Sequence, residues 1–383
     1  MLSGQLIYLD SAATALKPRS VINAVSAFYE TSTGAISRAG HSVSERATTK
    51  FEAARARVAG FVGARPDQIV FTLNASDAIL RVAEGLDLAP DDEVIVSAME
   101  HHSNLLPWRQ AARVVTVGID ANGMIDLDAL RKAITPRTRL IAVTAASNVS
   151  GAVQPVADIA EIARAAGILL LIDAAQMAGH LPLSMAEMGC TFCTFSGHKM
   201  LGPSGIGVLA MSDEGAAILQ ARRHGGGTVE YVGPTHFVQK TGPEAFEMGS
   251  PNAEGAVGLG AAVDYLEGIG VNRIAAHVAT LAETLRAGIA AIPAFAMPFA
   301  PGRKNTGIVT FVPRSEMNLG QMAEILSDSY QISLRHGHHC AQPFYQHVGA
   351  EPALRASLHL YNTLDDVTAF LGALSDIAVF CKP

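Results

Sequence analysis

Between about residues 15 and 265, stretches with helical periodicity alternate with short apolar stretches that are typical of strands. The clearest strand is 168–172, a wholly apolar run of the kind that forms parallel strands covered on both faces. This alternation predicts an α/β fold with a mainly parallel sheet wrapped by helices. The other predicted strands are 68–72, 93–96, 140–143 and 190–195, and the predicted helices are 44–61, 74–86, 126–134 and 156–166.

The character of the sequence changes after Gly268-Ile269-Gly270. A predicted helix at 271–289 leads into a proline-rich stretch and then a strand at 307–311, which indicates a smaller α+β domain. A chain of 383 residues is also too long for one ordinary core. We therefore predict a large domain at 15–265 and a small domain formed by 1–14 and 266–383.

Two polar residues follow predicted strands. Asp173 comes directly after the 168–172 run, and Lys199 ends the sequence Ser196-Gly197-His198-Lys199 after the 190–195 strand. Ligands of open α/β sheets bind at this edge, where the carboxyl ends of the strands meet. A lysine can form a Schiff base and an acid can keep a pyridine nitrogen protonated, so the pair predicts a pyridoxal 5'-phosphate (PLP) site. Either residue alone would be better explained as a surface lysine or a turn-capping acid.

Other residues near the same edge are candidates for binding the cofactor. Asn74-Ala75-Ser76 opens a predicted helix, whose amino end could bind a phosphate, although it also fits an ordinary capping sequence. Ser196 and His198 could add phosphate contacts. Glycines at 202, 205 and 207 would let the backbone turn tightly there.

A histidine pair, His101-His102, follows the predicted strand at 93–96. No carboxylate or cysteine ligand stands nearby at motif spacing, so we predict no metal site. An imidazole stacked on a flat cofactor ring is one interpretation, and a structural histidine is the other. Asn148 and Gln176, each after a predicted strand, could hydrogen-bond the cofactor's phenolate oxygen.

The C-terminal part contains Arg335-His336-Gly337-His338-His339-Cys340. Three histidines and an arginine around Cys340 would favour its thiolate, whereas the alternative is a buried thiol. Arg355 could grip a substrate carboxylate with two hydrogen bonds, and the alternative is an exposed surface arginine.

Composition limits the partners. A net charge of −7 argues against nucleic acid or an anionic membrane, and a charged fraction of only 16% favours a large core and an apolar subunit interface. The first ten residues show no signal peptide and no apolar run has membrane-spanning length, so we expect a cytoplasmic protein. Four scattered cysteines fit a reducing compartment. Cys190 and Cys193 would face opposite sides of a strand, which favours buried thiols over a redox pair.

The sequence resembles the class V, fold-type I PLP enzymes, and among them the group II cysteine desulfurases of the SufS/selenocysteine lyase type. The resemblance runs almost end to end, and its last two blocks are the most specific. Its blocks are Tyr8-Leu9-Asp10-Ser11-Ala12-Ala13, Met99-Glu100-His101-His102-Ser103-Asn104, Ser147-Asn148, Asp173-Ala174-Ala175-Gln176, Ser196-Gly197-His198-Lys199, Arg335-x-Gly337-His338-His339-Cys340 and Arg355-Ala356-Ser357.

The resemblance implies a role for each matching residue. Lys199 would bind PLP and move the Cα proton, and His101 would stack on the cofactor ring. Ser250 would reach the phosphate of the partner subunit, which implies a homodimer. Asp173 would pair with the pyridine nitrogen, and Gln176 and Asn148 would contact the phenolate oxygen and the substrate. The phosphate would be bound by Ala75, Ser76, Ser196 and His198. The substrate carboxylate would be bound by Arg335 and Arg355.

The predicted activity converts L-cysteine to L-alanine and leaves a persulfide on Cys340 for an acceptor protein. The sequence departs from the family at Asn74-Ala75-Ser76, where Gly-Thr-Thr is usual, and at His336, which is often threonine. Two other enzymes stay open, a selenocysteine lyase and a C–S lyase acting on a cysteine conjugate. A non-catalytic sulfur carrier or scaffold is disfavoured because Lys199, Asp173 and Cys340 are all present.

Overall fold

The computed structural model describes residues 6–302 and 304–379, so the ends of the predicted small domain, 1–5 and 380–383, and residue 303 lie outside the described residues. Its strands are Ile7–Tyr8 (β1), Ile69–Thr72 (β2), Glu93–Ser97 (β3), Arg113–Val117 (β4), Thr138–Thr144 (β5), Leu169–Asp173 (β6), Phe192–Ser196 (β7), Gly207–Met211 (β8), Val229–Val232 (β9), Phe237–Gln239 (β10), Phe295–Ala296 (β11), Ile308–Pro313 (β12), Ile332–Ser333 (β13), Arg335–Gly337 (β14) and Ala353–Ser357 (β15). Its α-helices are Arg19–Ser32 (α1), Ser42–Phe61 (α2), Ala75–Gly85 (α3), Leu106–Ala111 (α4), Leu127–Ala133 (α5), Val156–Ala166 (α6), Met185–Met188 (α7), Asp213–Ile218 (α8), Ala253–Ile269 (α9), Val271–Ala290 (α10), Leu319–Tyr330 (α11), Gln342–Val348 (α12) and Leu364–Ala378 (α13).

A seven-stranded sheet with the order β2-β8-β7-β6-β5-β3-β4 forms the centre of the molecule. The five strands from β7 to β4 pair in parallel, whereas β8 runs antiparallel to both of its neighbours. The prediction of an α/β fold with a mainly parallel sheet is therefore confirmed. The apolar strand pattern did not reveal the reversal at β8.

Helices cover both faces of this sheet. Alternate residues of β5 enter different cores: Ile141 and Val143 pack with α1, α2 and α9, while Leu140 and Ala142 pack with α3 and α4. A strand that is buried on both faces must be apolar at every position, which explains the unbroken apolar runs in the sequence.

A second, four-stranded antiparallel sheet has the order β11-β12-β15-β14. Helices α10, α11 and α13 follow or flank it in the C-terminal part of the chain. The N-terminal strand β1 pairs in parallel with β13, and Asp10 bridges to Ser357. Residues 7–10 thus lie against the C-terminal sheet, although the proposed domain division stays a prediction.

One argument about the cysteines was wrong. Strand β7 begins at Phe192, so Cys190 precedes it and the alternation of strand side chains does not apply. The two thiols are in hydrogen-bonding contact, and both are buried, as expected of the pair. Among the described residues, no helix has both the length and the apolar character needed to span a membrane.

Candidate active site

A solvent-accessible cavity of about 230 Å³ lies where the carboxyl ends of the central strands meet the C-terminal sheet. Ser250 is exposed and does not line the cavity of its own chain. The other predicted site residues all line it: Ala75, Ser76, His101, Asn148, Asp173, Gln176, Ser196, His198, Lys199, Arg335, Cys340 and Arg355.

Asp173 is buried and Lys199 is half-buried at the edge of the sheet. Asp173 is the last residue of β6 and accepts a hydrogen bond from the backbone N–H of Ala175 at 2.9 Å. Lys199 ends the single turn that follows β7. Burial raises the pKa of Asp173 and lowers the pKa of Lys199 to about 8, while the attraction between the two groups opposes both shifts. Lys199 can therefore lose its proton near neutral pH, as a nucleophilic amine must.

Hydroxyl groups and the amino end of α3 form one end of the cavity. The side chain of Asn74 caps α3 by accepting from the N–H of Asp77 at 2.9 Å. The N–H of Ala75 donates to Ser196 Oγ at 2.9 Å. Strand β8 passes so close that a Cβ on Gly207 would lie 2.4 Å from Asn74 Cα, which requires glycine at 207. Asn74 is thus an ordinary helix cap, and it also places the amino end of α3 in the cavity.

His101 is held in one tautomer. Its Nδ1 accepts from the backbone N–H of Ser103 at 3.1 Å, so the proton of the neutral ring is on Nε2. Burial lowers the pKa of His101 to about 3, and the charge of Lys199 adds to this shift. The ring is therefore neutral at physiological pH and offers an N–H donor at Nε2.

Sequence reasoning did not single out Ser103. Its hydroxyl lies 2.6 Å from Ser76 Oγ and 3.0 Å from His101 Nδ1, and it lines the cavity. It therefore connects the amino end of α3 to the histidine. The residue stood in the block after His101-His102, but only the fold brings it to Ser76.

Two buried histidines lie behind the turn that carries Lys199. The rings of His180 and His359 are 4.1 Å apart, and His180 and His359 are 4% and 0% exposed. Burial lowers the pKa of His180 to about 4 and also lowers the pKa of His359. The pair therefore stays neutral near pH 7. From the other side, Lys17 Nζ donates to the carbonyl oxygen of His198 at 3.1 Å.

Cys340 is exposed and lies on a tight turn between β14 and α12. His339 and Cys340 both have left-handed backbone conformations, with φ of 52° and 57°, which non-glycine residues seldom adopt. Two hydrogen bonds hold this turn to the large sheet's loops. Asn148 Nδ2 donates to the carbonyl of His339 at 2.7 Å, and the N–H of His102 donates to that of Cys340 at 2.9 Å. The thiol thus reaches the cavity on a fixed turn.

Arg355 is not a surface arginine, since it is 2% exposed in the middle of β15. Its Nη1 donates to the carbonyl of Asn148 at 2.8 Å and its Nη2 to Asp10 Oδ1 at 3.3 Å, while Nε has no partner among the described residues. Burial lowers the pKa of Arg355 and raises that of Asp10, so for both groups desolvation outweighs their attraction. Arg335 faces Arg355 from β14. Two guanidinium groups on neighbouring strands suit an anionic ligand.

Comparison with known proteins agrees with this architecture. The family model "Aminotransferase class-V" matches residues 7–370. A probable cysteine desulfurase from Pseudomonas aeruginosa is 39% identical over 377 residues, covering 96% of this chain and 93% of the relative. A cysteine desulfurase from Yersinia pestis is 39% identical over 392 residues, covering 97% and 93%.

Solved structures give the same result. The apo cysteine desulfurase from Thermococcus onnurineus matches with a TM-score of 0.94 and 34% identity, covering 98% of this chain and 95% of that one. The S-sulfonic acid form of an Escherichia coli cysteine desulfurase matches with a TM-score of 0.91 and 35% identity, at the same coverages. The fold, the residues gathered in the cavity and these relatives show that the chain belongs to the aminotransferase class-V family.

Proposed function

We propose that the protein is a PLP-dependent cysteine desulfurase of the group II type, which converts L-cysteine to L-alanine and keeps the sulfur on Cys340. The observation that carries the proposal is a single cavity lined by Lys199, Asp173 and Cys340. The relatives at 36–39% identity over most of the chain are cysteine desulfurases or probable ones, which supports the same activity.

The cavity fits PLP by the chemistry of its donors. A lysine whose pKa is lowered by desolvation and a buried carboxyl group suit an aldehyde and a pyridine nitrogen. At the other end, the amino end of α3 with Ser76 and Ser196 suits a phosphate. Ser103 adds a hydroxyl group there, beside Ser76.

When bound, PLP supplies an electron sink for the substrate's Cα. Lys199 provides the amine that holds the cofactor and can carry the Cα proton, since burial brings its pKa to about 8. Asp173 would pair with the pyridine nitrogen, and His101 would cover the ring and offer its Nε2–H. Asn148 and Gln176 are buried at the cavity wall, where they can reach the phenolate oxygen and substrate.

The substrate carboxylate binds to Arg355, with Arg335 beside it. The unpartnered Nε and the fixed orientation of the Arg355 guanidinium support this role. Cys340 then attacks the substrate Sγ. The Cβ–Sγ bond breaks, an S–S bond forms on Cys340, and the bonding electrons and protons pass to the carbon skeleton, which leaves as alanine. The exposed position of Cys340 would let an acceptor protein collect the sulfur.

We further propose that the protein acts as a homodimer. Ser250 is exposed and lies outside its own cavity, which suits a contact with the phosphate bound in the partner subunit. Apolar side chains on β9 and β10, among them Tyr231, Val232 and Phe237, are also exposed and would be covered in a dimer.

Mass spectrometry after treatment with L-cysteine tests the sulfur acceptor. A 32-dalton adduct is expected on the Cys340 peptide and not on the peptide with Cys190 and Cys193, whose buried thiols serve as the internal control. Cys340→Ala should lose alanine release while its cofactor spectrum still responds to cysteine. If Cys340→Ala desulfurates cysteine at the wild-type rate, the proposal is wrong and the C–S lyase alternative is supported. Wild-type protein that releases alanine from selenocysteine but not from cysteine would favour a selenocysteine lyase.

A further inference from the structure

Glu100 carries a buried carboxyl group that the proposed reaction does not use. It is 1% exposed and does not line the cavity, although it precedes His101. Its Oε1 accepts from Ser97 Oγ at 2.5 Å and from the N–H of Thr144 at 3.0 Å, and its Oε2 accepts from Asn104 Nδ2 at 2.6 Å. Burial raises the pKa of Glu100 to about 8, which these hydrogen bonds oppose. Three hydrogen bonds hold the group in one place.

The three partners of Glu100 belong to different elements around the cavity floor. Ser97 ends β3, and Thr144 ends β5, where it is the register partner of Asp173. Asn104 ends the single turn that follows His101. His101, Ser103 and Thr144 line the cavity themselves. The carboxyl group therefore links the turn next to His101 to the strand ends next to Asp173.

Trp108 fixes the direction of these hydrogen bonds. The indole N–H can only donate, and it donates to Asn104 Oδ1 at 3.0 Å. The amide NH₂ of Asn104 must therefore point to Glu100. The backbone N–H of Thr144 also can only donate. Both oxygens at position 100 must consequently accept, and an amide has only one oxygen that can do so.

We propose that Glu100 is a positioning residue, which keeps His101 and Thr144 in place through hydrogen bonds that require a carboxyl group. The inference rests on the proposed function, in which His101 and Asp173 face the bound cofactor. It adds a residue that contacts neither substrate nor cofactor and acts through the cavity residues it holds.

The first test is Glu100→Gln in the cofactor-loaded protein. In either orientation of the new amide, its NH₂ group points at another hydrogen-bond donor, either the N–H of Thr144 or the NH₂ of Asn104. We expect kcat to fall about 10- to 100-fold with KM within about threefold, because displaced cavity residues affect the transition state more than binding. Trp108 is the only tryptophan of the sequence, so its indole N–H gives one resonance in ¹⁵N-labelled protein, which should shift. Glu161→Gln, on the exposed surface of α6, is the matched control and should change neither quantity.

The second test reverses the polarity of the network. Combining Glu100→Gln with Asn104→Asp lets the new amide donate to the new carboxylate, whose other oxygen can still accept from Trp108. This double variant has the same number of carboxyl groups as the wild type. It should recover most of kcat and the wild-type indole shift. Asn104→Asp alone places a second buried carboxyl group next to that of Glu100, so this variant should lose activity.

Two results would overturn the inference. One is wild-type kcat in Glu100→Gln, and the other is a double variant that recovers neither kcat nor the indole shift. If Glu100→Gln does not fold, a folded and active double variant supports the inference, and an unfolded one overturns it. If the wild type releases no alanine from cysteine, the proposed function fails. The inference is then tested by two other measurements, the indole resonance and the visible absorbance of the cofactor. Both should change in Glu100→Gln and return to the wild-type values in the double variant.

Discussion

The buried histidine behind Lys199 predicts how the stability of the protein depends on pH. Burial lowers the pKa of His180 to about 4 in the folded protein, against 6.5 in an unfolded chain. Below pH 6.5, His180 is protonated in the unfolded chain, whereas its buried ring stays neutral in the folded protein. The contribution of His180 to the free energy of unfolding is therefore full above pH 6.5 and decreases as the pH falls from 6.5 towards 4. Below pH 4 it changes no further.

The size of the effect follows from these two pKa values. Between pH 7.5 and pH 5.5, His180 alone should lower the free energy of unfolding by about 1.3 kcal/mol. At pH 5.5 this value changes little if the folded pKa is one unit lower or higher, because the folded ring is mostly neutral in each case. His359 contributes a loss in the same direction, and its contact with His180 couples the two titrations.

Urea unfolding of cofactor-loaded protein at pH 7.5 and 5.5 measures the effect. His180→Gln keeps a neutral polar side chain, so its loss of stability between the two pH values should be about 1.3 kcal/mol smaller than that of the wild type. His236→Gln, at an exposed histidine, should retain nearly the wild-type dependence. An unchanged pH dependence in His180→Gln would refute the claim that burial keeps this ring neutral.

Three further substitutions test the proposed site. Lys199→Ala should abolish the visible absorbance of lysine-bound cofactor and the release of alanine, and a borohydride-reducible lysine adduct in this variant would point to another lysine. Asp173→Asn should bind PLP but lose most of kcat, because an amide cannot hold the pyridinium proton, and near-normal kcat would reject the assignment. Arg355→Ala should raise KM for cysteine about 10- to 150-fold, which corresponds to a charge-assisted grip of about 1.5–3 kcal/mol. Lysine should rescue poorly because one ammonium cannot reproduce the contacts of Arg355 with Asn148 and Asp10, and an unchanged KM would assign Arg355 a structural role only.

The existence and type of several helices and strands were the most predictable parts of the fold. The predicted helix 156–166 coincides with α6, and the strand predicted at 93–96 is one residue shorter than β3. Buried parallel strands need unbroken apolar runs, so the polar residue after each run marks the carboxyl edge of the sheet. Asp173 could be placed there for this reason.

Contacts between distant parts of the chain were not predictable in this way. The hydrogen bond of Glu100 to Thr144 depends on β3 lying beside β5, and the contact of Ser103 with Ser76 depends on α3 packing against the turn at 102–104. Periodicity encodes neither arrangement. The antiparallel direction of β8 was not predictable either, because periodicity does not encode the direction of a strand. For Cys190, an error of two residues in the start of a strand was enough to reverse the predicted side-chain direction.

The pairing of the first described strand, β1, with β13 near the C-terminal end of the chain affects when the cavity can form during synthesis. Once Met211 has left the ribosome, every strand of the seven-stranded sheet is available. Tyr8 and Asp10, in contrast, must wait for Ser333 and Ser357. The same late segments bring Cys340 and Arg355 to the site. Nascent chains thus have Lys199 and Asp173 long before Cys340 and Arg355, and only a nearly completed chain can form the whole cavity.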